Sequence, residues 1–138
     1  MIPSPAVVLV DSSVWITLFR APNRHVELSR RLDDLLDRGV VATNPLVRLE
    51  VLRGATGDRE YARLSNLFDG LLQLPIDNGT WSEAIRLGFD LRRRGLIVQT
   101  TDLVVAASAI RAGAVLMHRD SDFDRVAAKT ELLVESRL

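Results

Sequence analysis

Short apolar runs alternate along the chain with longer segments in which apolar residues recur at helical spacing. The apolar runs predict five short strands, at residues 7–10, 40–42, 71–74, 114–117 and 132–134. The first run contains only valine and leucine, which is typical of a strand buried on both faces. Strands that alternate with helices in this way predict an α/β fold with a mainly parallel sheet.

Helix signals lie between the predicted strands. Ser12 is a candidate cap for a first helix, and Asn44 followed by Pro45 predicts the start of another. Thr100 or Thr101 would cap a helix that continues to about residue 112. Three helices should end at glycines, which are Gly39, Gly95 and Gly113. The other predicted helices cover residues 25–38, 45–53, 59–69, 77–94 and 121–128.

The length and composition predict one folded domain. The chain has 138 residues, of which 47% are hydrophobic, and this argues against disorder. Residues 1–6 are interpreted as a short lead into the domain and lack the basic start of a signal peptide. No apolar run is long enough to cross a membrane, so we expect a cytoplasmic protein that spans no membrane.

The absence of cysteine restricts any metal site to nitrogen and oxygen ligands. The only histidines, His25 and His118, are far apart in the sequence, which makes a histidine-rich zinc site unexpected. Carboxylate oxygens would then hold the metal, and they favour Mg²⁺ or Mn²⁺. The net charge of zero neither indicates nor excludes a nucleic-acid partner.

Two acidic residues have unusual positions in the first third of the chain. Asp11 directly follows the first strand, where ligands bind in open α/β sheets, although it could equally be a simple helix cap. Glu50 lies on a helix among apolar neighbours, and a carboxylate there is costly unless it is paired or bound to metal. The alternative for Glu50 is a salt bridge with Arg48 or Arg53.

Further acidic residues lie in the second half of the chain. Asp102 begins a helix that is apolar nearly all round, so it could act as a metal ligand or only as a stabilising N-terminal acid. Asp120, Asp122 and Asp124 follow the fourth strand, with Phe123 as an expected core anchor. Asp120 is the preferred fourth acid and Asp122 the alternative. The acids at strand ends, joined by Glu50, would converge at one edge of the sheet and require a divalent cation.

Four motifs occur in the order and spacing of a known family. They are VDSSVWI at residues 10–16, LEVLRG at 49–54, TDLVVAA at 101–107 and HRDSDFD at 118–124. On these motifs the chain resembles a PIN domain, and in particular the VapC toxins of bacterial toxin–antitoxin pairs. The resemblance implies a three-layer α/β/α fold over the single domain 1–138.

The resemblance also implies an activity and partners. It implies a Mg²⁺- or Mn²⁺-dependent endoribonuclease that cleaves transfer or ribosomal RNA, with Ser13 as a polar neighbour of the first acid. It implies a cognate VapB antitoxin that covers the acidic pocket, and a homodimer. The metal and catalytic residues that it implies are Asp11, Glu50, Asp102 and Asp120, with Asp122 as the alternative to Asp120.

Other acidic α/β proteins fit less well. A haloacid dehalogenase-type phosphatase needs a second aspartate where this chain has Ser13, and a receiver domain needs paired acids and a late lysine. The serious alternative is a non-catalytic PIN-like module whose acids bind RNA, a protein or a metal without hydrolysis. A nuclease assay with and without Mg²⁺ separates the two.

Overall fold

A five-stranded sheet forms the centre of the protein, which the computed structural model describes over residues 6–138. Its strands are β1 (Val8–Val10), β2 (Val41–Thr43), β3 (Leu72–Gln73), β4 (Val115–His118) and β5 (Leu133–Ser136). Their order is β3-β2-β1-β4-β5, and every pairing is parallel. All the strands predicted from the apolar runs are confirmed, with small differences at their ends. The predicted lead at residues 1–6 lies, apart from Ala6, outside the described residues.

Helices connect the strands and cover the sheet. They are α1 (Ser12–Arg20), α2 (Val26–Asp37), α3 (Pro45–Leu52), α4 (Asp58–Asp69), α5 (Asn78–Arg93), α6 (Thr100–Ala112) and α7 (Ser121–Ala127), with a 3₁₀ turn at Pro22–Arg24. Successive strand residues point to opposite faces, and all three residues of β1 are buried, so both faces of the sheet are covered. This is the three-layer α/β/α fold that the sequence predicts. None of the helices within residues 6–138 is long and apolar enough to cross a bilayer.

Two of the predicted helix caps are wrong. Asp11, and not Ser12, caps α1, because its carboxylate accepts the backbone N–H of Ser13 while Ser12 is already helical. Gln99 precedes α6 without a side-chain cap bond, and Thr100 and Thr101 both lie inside that helix. The cap of α3 is as predicted, since the Asn44 side chain accepts the N–H of Val47 at 2.8 Å.

The sheet order brings distant parts of the sequence together. Central strand β1 pairs on one side with β2 and on the other with β4, in a register that places Val10 beside Met117. Because the strands are parallel, the residues that follow β1 and β4 meet at the same edge. The amino end of α6 reaches this edge as well, since Asp102 is close enough for the charges of Asp11 and Asp120 to act on it.

Candidate active site

Asp11 lies at the carboxyl end of β1 and is only 5% exposed. One of its carboxylate oxygens, Oδ2, accepts the Ser13 hydroxyl at 2.6 Å and the Ser13 backbone N–H at 3.1 Å. Burial raises the pKa of Asp11 above its ordinary value, and the Ser13 hydrogen bonds only partly offset this effect. Asp11 is therefore buried and held in one orientation, and a nearby positive charge would stabilise its ionised carboxylate.

Glu50 reaches the same edge from helix α3. The Ser12 hydroxyl donates to its Oε1 at 3.3 Å, which ties α3 to the start of α1. Burial raises the pKa of Glu50, and the neighbouring charge of Asp11 raises it further. The prediction that Glu50 lies among apolar neighbours is correct only in part, because Leu49 on the same helix is 60% exposed.

The salt-bridge alternative for Glu50 is not what the structure shows. Arg48 points to α4 instead, where it pairs with Asp69 at 2.7 Å and donates to the Ser65 hydroxyl at 2.8 Å. Arg53 acts on Glu50 only through its charge, as the smallest of the influences on the pKa of Glu50. Glu50 therefore lacks an ion-pair partner within residues 6–138.

Three aspartates form the tightest group at this edge. Asp102, Asp120 and Asp122 each offer a carboxylate oxygen, and these oxygens all lie within 4.8 Å of one another. Asp120 caps α7, because its Oδ1 accepts the Asp122 N–H at 2.9 Å. Asp122 also pairs with Arg125 one turn later in α7. The structure therefore brings both Asp120 and its alternative Asp122 to Asp102.

Asp102 shows how strongly the acids repel one another. Its pKa is raised to about 7, first by burial and then by the charges of Asp120, Asp11, Glu50 and Asp122. The first turn of a helix normally favours a carboxylate. Burial and four like charges outweigh that effect here, so an acid that serves only to stabilise the helix is a poor explanation of this position.

Ser13 connects the two halves of the acidic edge. While its hydroxyl donates to Asp11, the same oxygen accepts the backbone N–H of Arg119 at 3.0 Å. Arg119 directly precedes Asp120. The Ser13 hydroxyl thus links the loop after β4 to the carboxylate of Asp11.

His118 is a positioning residue that the sequence reasoning missed. It is fully buried, and its Nδ1 accepts the backbone N–H of Asp120 at 3.0 Å. The ring proton therefore lies on Nε2, which donates to Asp124 Oδ1 at 3.1 Å. Asp124 in turn accepts the Ser136 hydroxyl at 2.9 Å, so it braces the loop and does not join the cluster. The signal available was a histidine at the end of an apolar strand, directly before the run of aspartates.

The sequence model of the PIN domain family matches residues 8–129. The chain belongs to the PIN domain family. The match extends from β1 to just beyond α7 and includes every acidic residue of the cluster.

Curated relatives of this PIN domain are named as VapC ribonucleases. Ribonuclease VapC11 of Mycobacterium tuberculosis is 35% identical over 134 residues, which cover 94% of this chain and 98% of the relative. Ribonuclease VapC18 of the same species is 34% identical over 128 residues, which cover 90% of each protein. This PIN domain is therefore one of the VapC family.

The fold is also found in a solved VapBC structure. DNA-bound VapBC from Salmonella typhimurium contains a chain that superposes with a TM-score of 0.78, over 95% of this chain and 98% of the other. The identity is 18%, so this likeness bears on the fold alone.

The acidic edge of this PIN domain fits a hard divalent cation. Its side-chain donors are carboxylate and hydroxyl oxygens, which Mg²⁺ and Mn²⁺ prefer. Burial first, and then repulsion from the neighbouring acids, raise the pKa of Asp102. A cation among the three aspartates would remove this repulsion.

Proposed function

We propose that this PIN domain is a metal-dependent endoribonuclease and the toxin of a VapBC-type toxin–antitoxin system. One observation carries the proposal: the carboxylates of Asp102, Asp120 and Asp122 converge beside Asp11 and Glu50 in a chain related to VapC ribonucleases. The proposed substrate is transfer or ribosomal RNA, so we expect the protein to act in the cytoplasm.

The proposed roles follow from position. Asp11 and Asp102 would bind the principal metal, because Asp11 is buried and held by Ser13, and Asp102 is half-buried among the other acids. Glu50 and Asp120 would complete the negative pocket, directly or through water molecules, and Asp122 is close enough to share the role of Asp120. The proposed catalytic set is thus the one expected from the sequence, enlarged by Asp122.

The metal, Ser13 and His118 each have a proposed part in hydrolysis. When bound, Mg²⁺ or Mn²⁺ lowers the pKa of a water ligand and neutralises charge on the phosphate. Ser13 keeps the Asp11 carboxylate oriented, and His118 holds the backbone of Asp120 in place. Attack of water on phosphorus, with departure of the 3′ oxygen, would leave a 5′-phosphate and a 3′-hydroxyl.

Two protein partners belong to the proposal. A VapB-type antitoxin would inhibit the enzyme by placing a basic side chain against the acidic cluster, where the excess negative charge favours it.

A second copy of the chain would cover an exposed apolar stripe on α5. Trp81, Ile85 and Phe89 lie four residues apart on that helix and are 48%, 72% and 52% exposed. In an antiparallel pair of α5 helices centred on Ile85, Trp81 would face the partner's Phe89.

A cleavage assay tests the activity. The intact protein, freed of antitoxin, is incubated with total transfer and ribosomal RNA in Mg²⁺, in Mn²⁺ or in EDTA. Asp11→Asn and Asp102→Asn should abolish cleavage while circular dichroism shows a retained fold. Asp33→Asn, at an exposed acid on α2, is the matched control and should cleave normally. Cleavage that persists in EDTA or in either site variant contradicts the mechanism, and RNA binding without cleavage favours the non-catalytic alternative.

A further inference from the structure

A groove opens beside Glu50 and leads away from the acidic cluster. Its volume is about 430 Å³. Helix α3 contacts both α1 and α4, so the groove lies over α3 between the other two helices. Its lining includes Phe19, Arg20, Glu50, Val51, Arg53 and Leu64. The groove is therefore continuous with the proposed cleavage site at Glu50.

Phe19 gives the groove an aromatic surface that is already fixed in place. The ring is 40% exposed and stacks on Trp15, with 5.8 Å between ring centroids and 25° between ring planes. Trp15 is 2% exposed and meets the fully buried Phe68 edge-on at 5.0 Å. One side of Phe19 is thus backed by the core, while its exposed part faces solvent.

Two cations line the same groove. Arg20 and Arg53 are both exposed, and neither guanidinium forms an ion pair within residues 6–138. Glu60 is the opposing charge at the α4 side, and it accepts hydrogen bonds from the Thr56 hydroxyl and backbone N–H at 3.3 and 3.4 Å. A ligand with an anionic backbone and an aromatic group matches both these guanidinium groups and the Phe19 ring.

We propose that this groove is a nucleotide subsite for the RNA strand next to the cleaved bond. A base stacks on Phe19, while Arg20 and Arg53 contact the adjacent phosphates. The Glu60 carboxylate is an acceptor for a base that carries an amino group. The inference rests on the proposed ribonuclease function and adds to it the place where a base is held.

A single-stranded RNA explains the groove better than a peptide does. An apolar peptide would use the floor formed by Val51 and Leu64, but it would leave both guanidinium groups without a partner. Stacking on an exposed aromatic ring together with phosphate contacts is the usual way in which proteins bind single strands. The groove also begins at Glu50, an acid of the proposed cleavage site. The nucleotide next to the cleaved bond would therefore lie in the groove.

Binding measurements test the subsite directly. All variants carry Asp102→Asn so that RNA stays intact, and the probe is a fluorescein-labelled single-stranded RNA of random sequence, about 12 nucleotides long to span one binding site, with Mg²⁺ present. Phe19→Leu keeps apolar volume but removes the ring, and it should weaken binding by about fivefold or more. Arg20→Gln and Arg53→Gln should each reduce the slope of log affinity against log salt by about 0.7.

Matched controls lie outside the groove. Tyr61→Leu removes a 53% exposed aromatic ring from α4, and Arg30→Gln removes an exposed cation from α2. Both should leave the affinity and the salt slope unchanged. Thermal unfolding of each variant shows whether a loss reflects folding.

The outcomes separate this inference from the proposed function. If the Asp102→Asn protein binds RNA and the groove variants match the controls, the subsite is wrong while the nuclease proposal stands. If the groove variants instead lose only co-purification with a co-expressed cognate antitoxin, the groove holds a peptide and the subsite is again wrong. If the unmodified protein neither binds nor cleaves RNA, both proposals are wrong.

Discussion

Replacing Asp102 by asparagine should stabilise the metal-free protein, although it removes a proposed metal ligand. Asparagine has nearly the shape of aspartate and carries no charge. It therefore removes both the cost of burying a charge and the repulsion from Asp120, Asp11, Glu50 and Asp122, which together raise the pKa of Asp102 to about 7. The same substitution should remove the stabilisation that divalent metal gives the unmodified protein.

The pKa gives the magnitude of this effect. A pKa of about 7, in place of the ordinary 3.8, corresponds to about 4 kcal/mol of unfavourable free energy for the ionised group. Because Asp102 is only half-buried, solvent screening reduces the expected gain to about 1–2 kcal/mol. For a domain of 138 residues this raises the midpoint of thermal unfolding by about 3–7 °C.

The stability gained by Asp102→Asn should increase as pH rises. Between pH 3.8 and about 7 the folded protein holds the Asp102 proton while the unfolded chain has lost it, so stability falls as pH rises. The asparagine side chain that replaces Asp102 does not titrate. The advantage of Asp102→Asn is therefore near zero at about pH 4, grows through neutral pH and is complete above about pH 8.

Differential scanning fluorimetry measures this across pH, in EDTA and in excess Mn²⁺. At a metal concentration about one hundred times the dissociation constant, the unmodified protein gains about 2.7 kcal/mol. The order of stability of the two proteins should then reverse. Asp33→Asn is the control, whose effect should not depend on metal. A variant that is less stable than the parent in EDTA at about pH 8 would refute the electrostatic reasoning.

Two further predictions concern the proposed dimer and His118. Ile85→Glu places a charge at the centre of the α5 stripe and should give a monomer in size-exclusion chromatography with light scattering; an unchanged mass means that α5 is not the interface. His118→Ala removes the acceptor for the Asp120 N–H and should weaken Mn²⁺ binding about tenfold in titration calorimetry. An unchanged affinity would mean that Ser13 alone holds the loop.

The strands were predictable because their signal is local. A run such as Val8–Val10, which contains only valine and leucine, favours a strand buried on both faces, and a cap such as Asn44 before Pro45 marks where a helix begins. Gly113 adopts a φ of +63° at the end of α6, a left-handed conformation that glycine adopts without strain. In each case the reason for the local structure lies in residues that are adjacent in the sequence.

The details of the acidic edge depend on distant residues and could not be predicted. Ser12 resembles a helix cap, but its hydroxyl is used by Glu50 on another helix. Asp120 and Asp122 both reach Asp102 because of the way the loop after β4 turns, and the His118 hydrogen bonds stabilise that turn. The sequence predicts which acids converge, whereas the contacts that orient them are visible only in three dimensions. The metal and catalytic roles of these acids stay predictions.

The position of β1 between β2 and β4 has a consequence for protein synthesis. A nascent chain that has folded only through β3 contains Asp11 and Glu50, but the site beside β1 where β4 docks is still empty. Asp120 and Asp122 join the cluster only after β4 is translated and inserted, a long-range and therefore slow pairing. For the proposed toxin, partly synthesised chains on the ribosome would be harmless to nearby RNA. Nuclease activity would begin with this late step, and an antitoxin already in the cell could intercept the chain there.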